Sequence, residues 1–256
     1  MTQEERLQFL LRYLINESER HSQLRIPHSP AEQERLLRAL INIRPPRPAS
    51  ADFFHIQDQY LRQEAAAEKI TDLNSLAPVK GRIFLWQGDI TKLKCDAIVN
   101  AANSSLLGCF IPCHGCIDNA IHTRAGVQLR LACHALMRKK SDGEKAGGAQ
   151  ITKAFNLPCQ YVLHTVGPMV SGSPSEQDFA DLSSCYASCL ALAEKSGVRS
   201  LTFCCISTGE FHFPPRQAAE TAVRTVTEYL KKSKLEKVVF NVFKDRDYDI
   251  YRTLLS

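Results

Sequence analysis

Residues 88–126 read GDITKLKCDAIVNAANSSLLGCFIPCHGCIDNAIHTRAG, and this stretch decides how the rest of the 256-residue chain is understood. An apolar strand at 82–87 runs into Gly88-Asp89, and a second buried strand at 96–99 ends in Asn100 and Asn103. Two strand ends therefore present polar groups. Open α/β sheets bind ligands beside the carboxyl ends of their strands, so an aspartate and paired asparagines predict a polar, hydroxyl-rich ligand; a pair of Asx turns is the alternative. Residues 108–118 then read Gly-Cys-Phe-Ile-Pro-Cys-His-Gly-Cys-Ile-Asp, with three thiols and one imidazole inside eight residues. Thiolates and a neutral imidazole are the ligand set zinc prefers, and Pro112 and Gly115 let a short loop converge its side chains. Three protein ligands would leave the fourth position open, as catalytic zinc sites do.

Downstream, 117–136 reads as one helix, with Ile117, Ile121, Leu129 and Leu136 among its apolar positions. Asp118 and Asn119 fall in its first turn, where the helix dipole favours a carboxylate. His122 and His164 read as packing or structural hydrogen-bonding residues, and with His134 they stay outside the expected site. Strands are expected at 149–155, 161–166, 201–206 and 237–243, and helices at 176–196, after Pro214-Pro215, and from Asp245. The strand at 201–206 delivers Ser207, Thr208, Gly209, Glu210 and Phe211 ahead of a helix. Such a turn can aim N–H groups and a helix terminus at phosphate oxygens.

Upstream, Leu7, Leu10, Leu11, Leu14 and Ile15 lie at helical spacing within 3–20. A second helix is expected from Ser29-Pro30-Ala31-Glu32, with Ser29 as cap and Glu32 reaching back, and it stops before Arg44-Pro45. A third covers 52–69, burying Phe53, Phe54, Ile56, Tyr60 and Leu61. The order of elements predicts an α/β domain at 79–256 behind a helical extension at 1–78. Packing, rather than a share in the substrate cleft, is the role expected of the extension.

A net charge of +5 suits an anionic ligand and is too small to predict a nucleic-acid surface. The opening MTQEERLQFLLRYL is acidic where a secretory signal is basic, and no long apolar span follows, so a cytoplasmic protein away from membranes is expected. Seven of the ten cysteines lie outside the 109–116 loop, in apolar settings, and read as free thiols.

GDIT, DAIVNAAN, IDNAIH followed by Ala125-Gly126, and later ISTGEFHFP resemble, in that order, the macrodomain family of ADP-ribose binders and hydrolases. The cysteine and histidine insertion resembles the family's zinc-dependent branch, which removes ADP-ribose from modified proteins. The resemblance implies a three-layer α/β/α fold with a mixed central sheet and an N-terminal helical extension. It implies Zn2+ on Cys109, His114 and Cys116. Asp89, with Ile90 beside it, would hold adenine, and Phe243 would contact adenine or pack in the core. Ser207, Thr208, Gly209, Glu210 and Phe211 would wrap the pyrophosphate, and Phe211 and Asn103 would meet the distal ribose. Asp118 would act there too, activating water or holding a hydroxyl, so Asp118 and Asn103 are the catalytic candidates. The implied partners are ADP-ribose and a mono-ADP-ribosylated protein, which in some members of this branch is a lipoyl-carrier protein. Cys113 departs from the pattern, and as a fourth ligand it would close the site.

Two rival functions remain at this level. One is a reader that binds ADP-ribosylated partners without cleaving them and uses zinc as a brace. The other is a thiol enzyme that pairs Cys109 or Cys113 with His114.

Overall fold

The computed structural model describes residues 1–21, 23–138 and 140–256. Three helices come first: α1 (Gln3–Asn16), α2 (Pro30–Ile43) and α3 (Ala51–Ala67). Their apolar residues recur at spacings of three and four, so each helix has one face to bury. Leu10 and Leu11 of α1, Leu37 and Ile41 of α2, and Phe53 and Tyr60 of α3 meet in one cluster, which also takes in Val127 from outside the three helices. α1 opens with the reciprocal Thr2 and Glu5 capping bonds, and the Ser50 side chain caps α3. Ser29 makes no side-chain cap bond, contrary to expectation, so Pro30 at the first helical position opens α2 without one. Before Pro45, Arg44 is extended (ψ 122), and the helix stops there as the sequence requires.

The main sheet contains β2 (Ile83–Gln87), β4 (Ala97–Ala101), β5 (Ala149–Lys153), β6 (Tyr161–Thr165), β7 (Ser200–Phe203) and β8 (Lys237–Val242). Two short strands, β1 (Thr71–Asp72) and β3 (Leu93–Lys94), pair separately. The main order is β2-β8-β7-β4-β6-β5, parallel throughout except at the antiparallel edge strand β5. Ala97, Ile98, Val99, Leu201, Phe203, Val238 and Val239 are buried, as strands covered on both faces must be. Helices α6 (Glu176–Lys195), α7 (Pro215–Leu230) and α8 (Asp245–Leu255) pack in sequence against one another. α4 (Ile117–Ala125) and α5 (Val127–Met137) pack on β4 and β5 respectively, and α2 contacts α4. The result is the expected three-layer α/β/α arrangement with a mixed sheet. No described helix is long and apolar enough to cross a membrane.

Two boundaries differ from the sequence reading in ways that matter. The helix expected over 117–136 is two helices, broken at Gly126 with φ +91°. The cause is tertiary: Gln57 of α3 reaches in, its side-chain oxygen accepting from Val127 N at 3.0 Å, and a Cβ on Gly126 would lie 2.6 Å from Gln57 Nε2. The strand expected at 96–99 runs on to Ala101, so Asn100 lies inside it, fully buried, rather than at its end.

Because β2, β8, β7, β4 and β6 are parallel, the loops that follow them emerge at one edge of the sheet.

Candidate active site and metal centre

Cys109 and Cys116 bracket the loop after β4, and His114 lies between them. Cys109 Sγ is 3.6 Å from His114 Nδ1, and the donor atoms of all three residues lie within 4.8 Å of one another. Cys116 is the N-cap of α4, its Sγ accepting from Asn119 N at 3.4 Å. Burial pushes the Cys116 thiol up to about 12, with the Asn119 N–H pulling the other way; a coordinated cation would reverse that balance outright. His114 Nε2 faces Glu210 Oε1 at 3.7 Å, which leaves Nδ1 turned to the cysteines. A carboxylate behind a ligating imidazole is the usual outer-shell partner. Two sulfurs and an imidazole nitrogen, converging and half-buried, fit Zn2+ as a donor set.

Cys113 does not join them. Its N donates to Asn42 Oδ1 at 2.9 Å and its Sγ to Arg35 O at 3.5 Å, both on α2. The extension also grips the loop elsewhere: Arg38 Nη2 donates to His114 O and Asn119 Oδ1, each at 2.8 Å. Behind it, buried Arg130 of α5 donates to Leu107 O at 2.6 Å and Ile41 O at 2.9 Å, and its guanidinium stacks on Phe110 at 4.3 Å. The extension packs, as expected, and part of that packing falls on the 109–116 loop itself.

Asp118 is buried in the first turn of α4, and its Oδ1 accepts from Asn100 Nδ2 at 2.8 Å. Burial raises its pKa to about 6, against the opposing Asn100 hydrogen bond and Arg130 charge. His122 Nε2 lies 3.5 Å from the same oxygen, without hydrogen-bond geometry. Only an amide nitrogen can face a carboxylate, so Asn100 also turns Nδ2 to His164 Nδ1 at 3.3 Å, and Nε2 of His164 meets Thr152 Oγ1 at 2.9 Å. His164 is therefore neutral, with its pKa pushed down to about 3 by burial. His122, Cys133 and His164 form a second close donor group, wholly buried. Both His164 nitrogens already have partners, so a metal could enter there only by breaking the Asn100 or Thr152 contact.

The remaining candidates lie along the same sheet edge. Asp89 Oδ1 accepts from Thr91 N at 3.0 Å and Thr91 Oγ1 at 2.7 Å, while Ile90 buries its side chain. Phe243 ends the neighbouring strand with 73% of its surface exposed, which rules out the core-packing alternative. After β7, Ser207 adopts φ +65° and buries an Oγ with no protein partner. The chain at Gly167 comes so close that a Cβ there would fall 2.0 Å from that oxygen. Thr208 Oγ1 donates to Cys205 O at 3.0 Å, Gly209 and Glu210 are exposed, and Phe211 is half-buried against the core. Asn103 makes the Asx turn held open as an alternative: Oδ1 accepts from Ser105 N at 3.1 Å, and Nδ2 donates to Gly108 O at 3.1 Å. A cavity of about 450 Å³ at the opposite edge, bordered by Asp96, Ser200 and Lys237, contains none of these groups.

The Macro domain family matches residues 99–222. Over its whole length the chain is 51% identical to a protein-ADP-ribose hydrolase of Treponema medium, which is itself covered completely. The chain belongs to the macrodomain family. A second macrodomain relative, the protein-ADP-ribose hydrolase of Staphylococcus aureus strain MRSA252, is 48% identical over 94% of this chain and 93% of its own. The solved structure of the Trypanosoma brucei macrodomain in complex with ADP-ribose superposes with a TM-score of 0.67 at 30% identity, covering 90% of this chain and 97% of that one.

Sequence reasoning missed Arg38, Asn42 and Arg130; it named Asn100 as a strand end without its link to Asp118, and its structural hydrogen-bonding role for His164 holds. One signal was available: Arg35, Arg38 and Asn42 recur at helical spacing, a polar stripe on a helix whose Leu37, Leu40 and Ile41 are buried.

Proposed function

We propose that this macrodomain hydrolyses the bond joining ADP-ribose to a mono-ADP-ribosylated protein, with Zn2+ held by Cys109, His114 and Cys116. The observation that carries this is the order of groups along the sheet edge. Asp89 and Phe243 follow β2 and β8, the 207–211 turn follows β7, and Asn103 and the metal loop follow β4, in the strand order β2-β8-β7-β4. That is the order of adenine, pyrophosphate and distal ribose in one extended ligand. Two relatives named for this hydrolysis, one matched over its full length and the other over 93% of it, support the reaction class.

Asp89 accepts from the adenine amino group beside Ile90, and Phe243 covers the ring. Backbone N–H groups of Ser207, Thr208, Gly209, Glu210 and Phe211 hold the pyrophosphate, which fixes the distal ribose against Asn103 and Phe211. Asp118, aimed by Asn100, accepts a proton at the distal ribose. Water adds to the anomeric carbon, the bond to the protein side chain breaks, and the departing atom takes up a proton. Cys109, His114 and Cys116 would hold Zn2+, which when bound would supply Lewis-acid polarisation of an oxygen. A pure reader with a closed, structural zinc loses its main support, because the Cys113 sulfur turns to Arg35 rather than to the other donors.

We read residues 1–78 as the extension and 79–256 as the catalytic domain, in a cytoplasmic protein whose ten cysteines are free. A lipoyl-carrier protein is the first target to assay. Cys116→Ala is expected to abolish zinc retention and hydrolysis together while ADP-ribose still binds. Full turnover by a metal-free variant, verified by elemental analysis, would refute the mechanism.

A further inference from the structure

Helix α2 decides which of the four donors in the 109–116 loop can meet at one point. Arg35, Arg38 and Asn42 are three and four residues apart and share one face of the helix. Arg38 fixes the backbone at His114 and the side chain of Asn119, on either side of Cys116. Asn42 is fully buried; its Oδ1 accepts from Cys113 N and its Nδ2 donates to Thr123 Oγ1, each at 2.9 Å. Held this way, Cys113 takes φ +54°, a left-handed conformation that a non-glycine residue keeps only when its surroundings impose it. Its sulfur turns to Arg35 O, and Cys109, His114 and Cys116 converge without it.

We propose that Asn42 is a positioning residue of the metal centre: it tethers Cys113 to α2 and keeps the fourth coordination position free of protein. The proposal rests on the metal reading of the site. Cys113 adjoins His114 in the chain, so once released its thiolate competes for the same ion. A third sulfur would complete a four-ligand set of the structural type and exclude substrate oxygen. The helical extension would thus help to keep an open site from becoming a closed one.

The test uses the full chain loaded with Co2+, whose thiolate charge-transfer absorption grows with the number of coordinated sulfurs. The parent and Cys113→Ala should have equal band intensities and equal turnover. Asn42→Ala should gain a third thiolate, with a band about half as strong again, and should lose about 10- to 100-fold in turnover. Adding Cys113→Ala to Asn42→Ala should restore both readings. A band that falls by a third in Cys113→Ala would overturn the tether, as would a parental band in folded Asn42→Ala. Cys113→Ala decides the question even where Asn42→Ala fails to fold. Absence of any thiolate band in the parent would refute the metal centre itself, and the tether with it, a result distinct from either of the others.

Discussion

Replacing Phe243 with alanine separates ligand binding from folding. Phe243, just after β8, is 73% exposed, so removal of its ring takes almost nothing from the core. Gln87 Nε2 donates to the backbone oxygen of Phe243 at 3.4 Å and to Asp245 Oδ1 at 2.7 Å, contacts that the substitution leaves in place. Stability should therefore stay within about 0.5 kcal/mol of the parent, as for other surface substitutions. Stacking of a base on an aromatic ring contributes about 1–3 kcal/mol by alanine substitution, which corresponds to a Kd for ADP-ribose raised about 5- to 150-fold. Titration calorimetry with ADP-ribose on the full chain gives the affinity, and urea denaturation of the same sample gives the stability. Phe243→Leu, which keeps apolar area but no ring face, should fall between. An unchanged Kd together with a clear loss of stability would return Phe243 to a structural role and remove the adenine end of the account.

Two further predictions concern the buried polar network. Asp118→Ala should retain zinc and bind ADP-ribose, but turn over about 10²- to 10⁴-fold more slowly, the usual contribution of a positioned proton acceptor; unchanged single-turnover kinetics would take Asp118 off the catalytic list. His164 has a folded pKa of about 3 against an ordinary 6.5, so the unfolded chain binds the proton first as pH falls. Its contribution to stability is complete above pH 6.5 and is lost as pH drops towards 3. Between pH 8 and pH 5 it accounts for about 2 kcal/mol of lost stability, a loss that His164→Gln should escape; parallel stability curves for the two proteins would show that His164 does not titrate this way.

How much of this was legible in the sequence depends on how far each contact reaches. Cys109, His114 and Cys116 could be named in advance through the family resemblance, whereas the residues alone offered three thiols and one imidazole in a short loop with Pro112 and Gly115 and did not choose among them. The helices followed from local apolar periodicity and the strands from short continuous apolar runs, the pattern of strands covered on both faces. The Gly126 break did not, because Gln57, the residue that imposes it, lies 70 positions away from its bonded partner. The orientation of Cys113 was hidden for the same reason, since its partner Asn42 is 71 positions distant. Asn100 read as the polar end of its strand, yet β4 runs on to Ala101 and carries it inward to meet Asp118 and His164. Buried polar networks of this kind leave no periodic trace. The single available hint, the Arg35, Arg38 and Asn42 stripe, reads equally as an ordinary solvated helix face.

On the proposed mechanism, hydrolysis depends on a metal held by Cys109, His114 and Cys116. The most direct test is release of free ADP-ribose from a mono-ADP-ribosylated protein by the purified chain with zinc, after chelation, and after zinc is restored. Release is expected with zinc, lost on chelation and recovered on restoration, with ADP-ribose binding retained throughout. Undiminished release from the chelated, metal-free protein would contradict the mechanism.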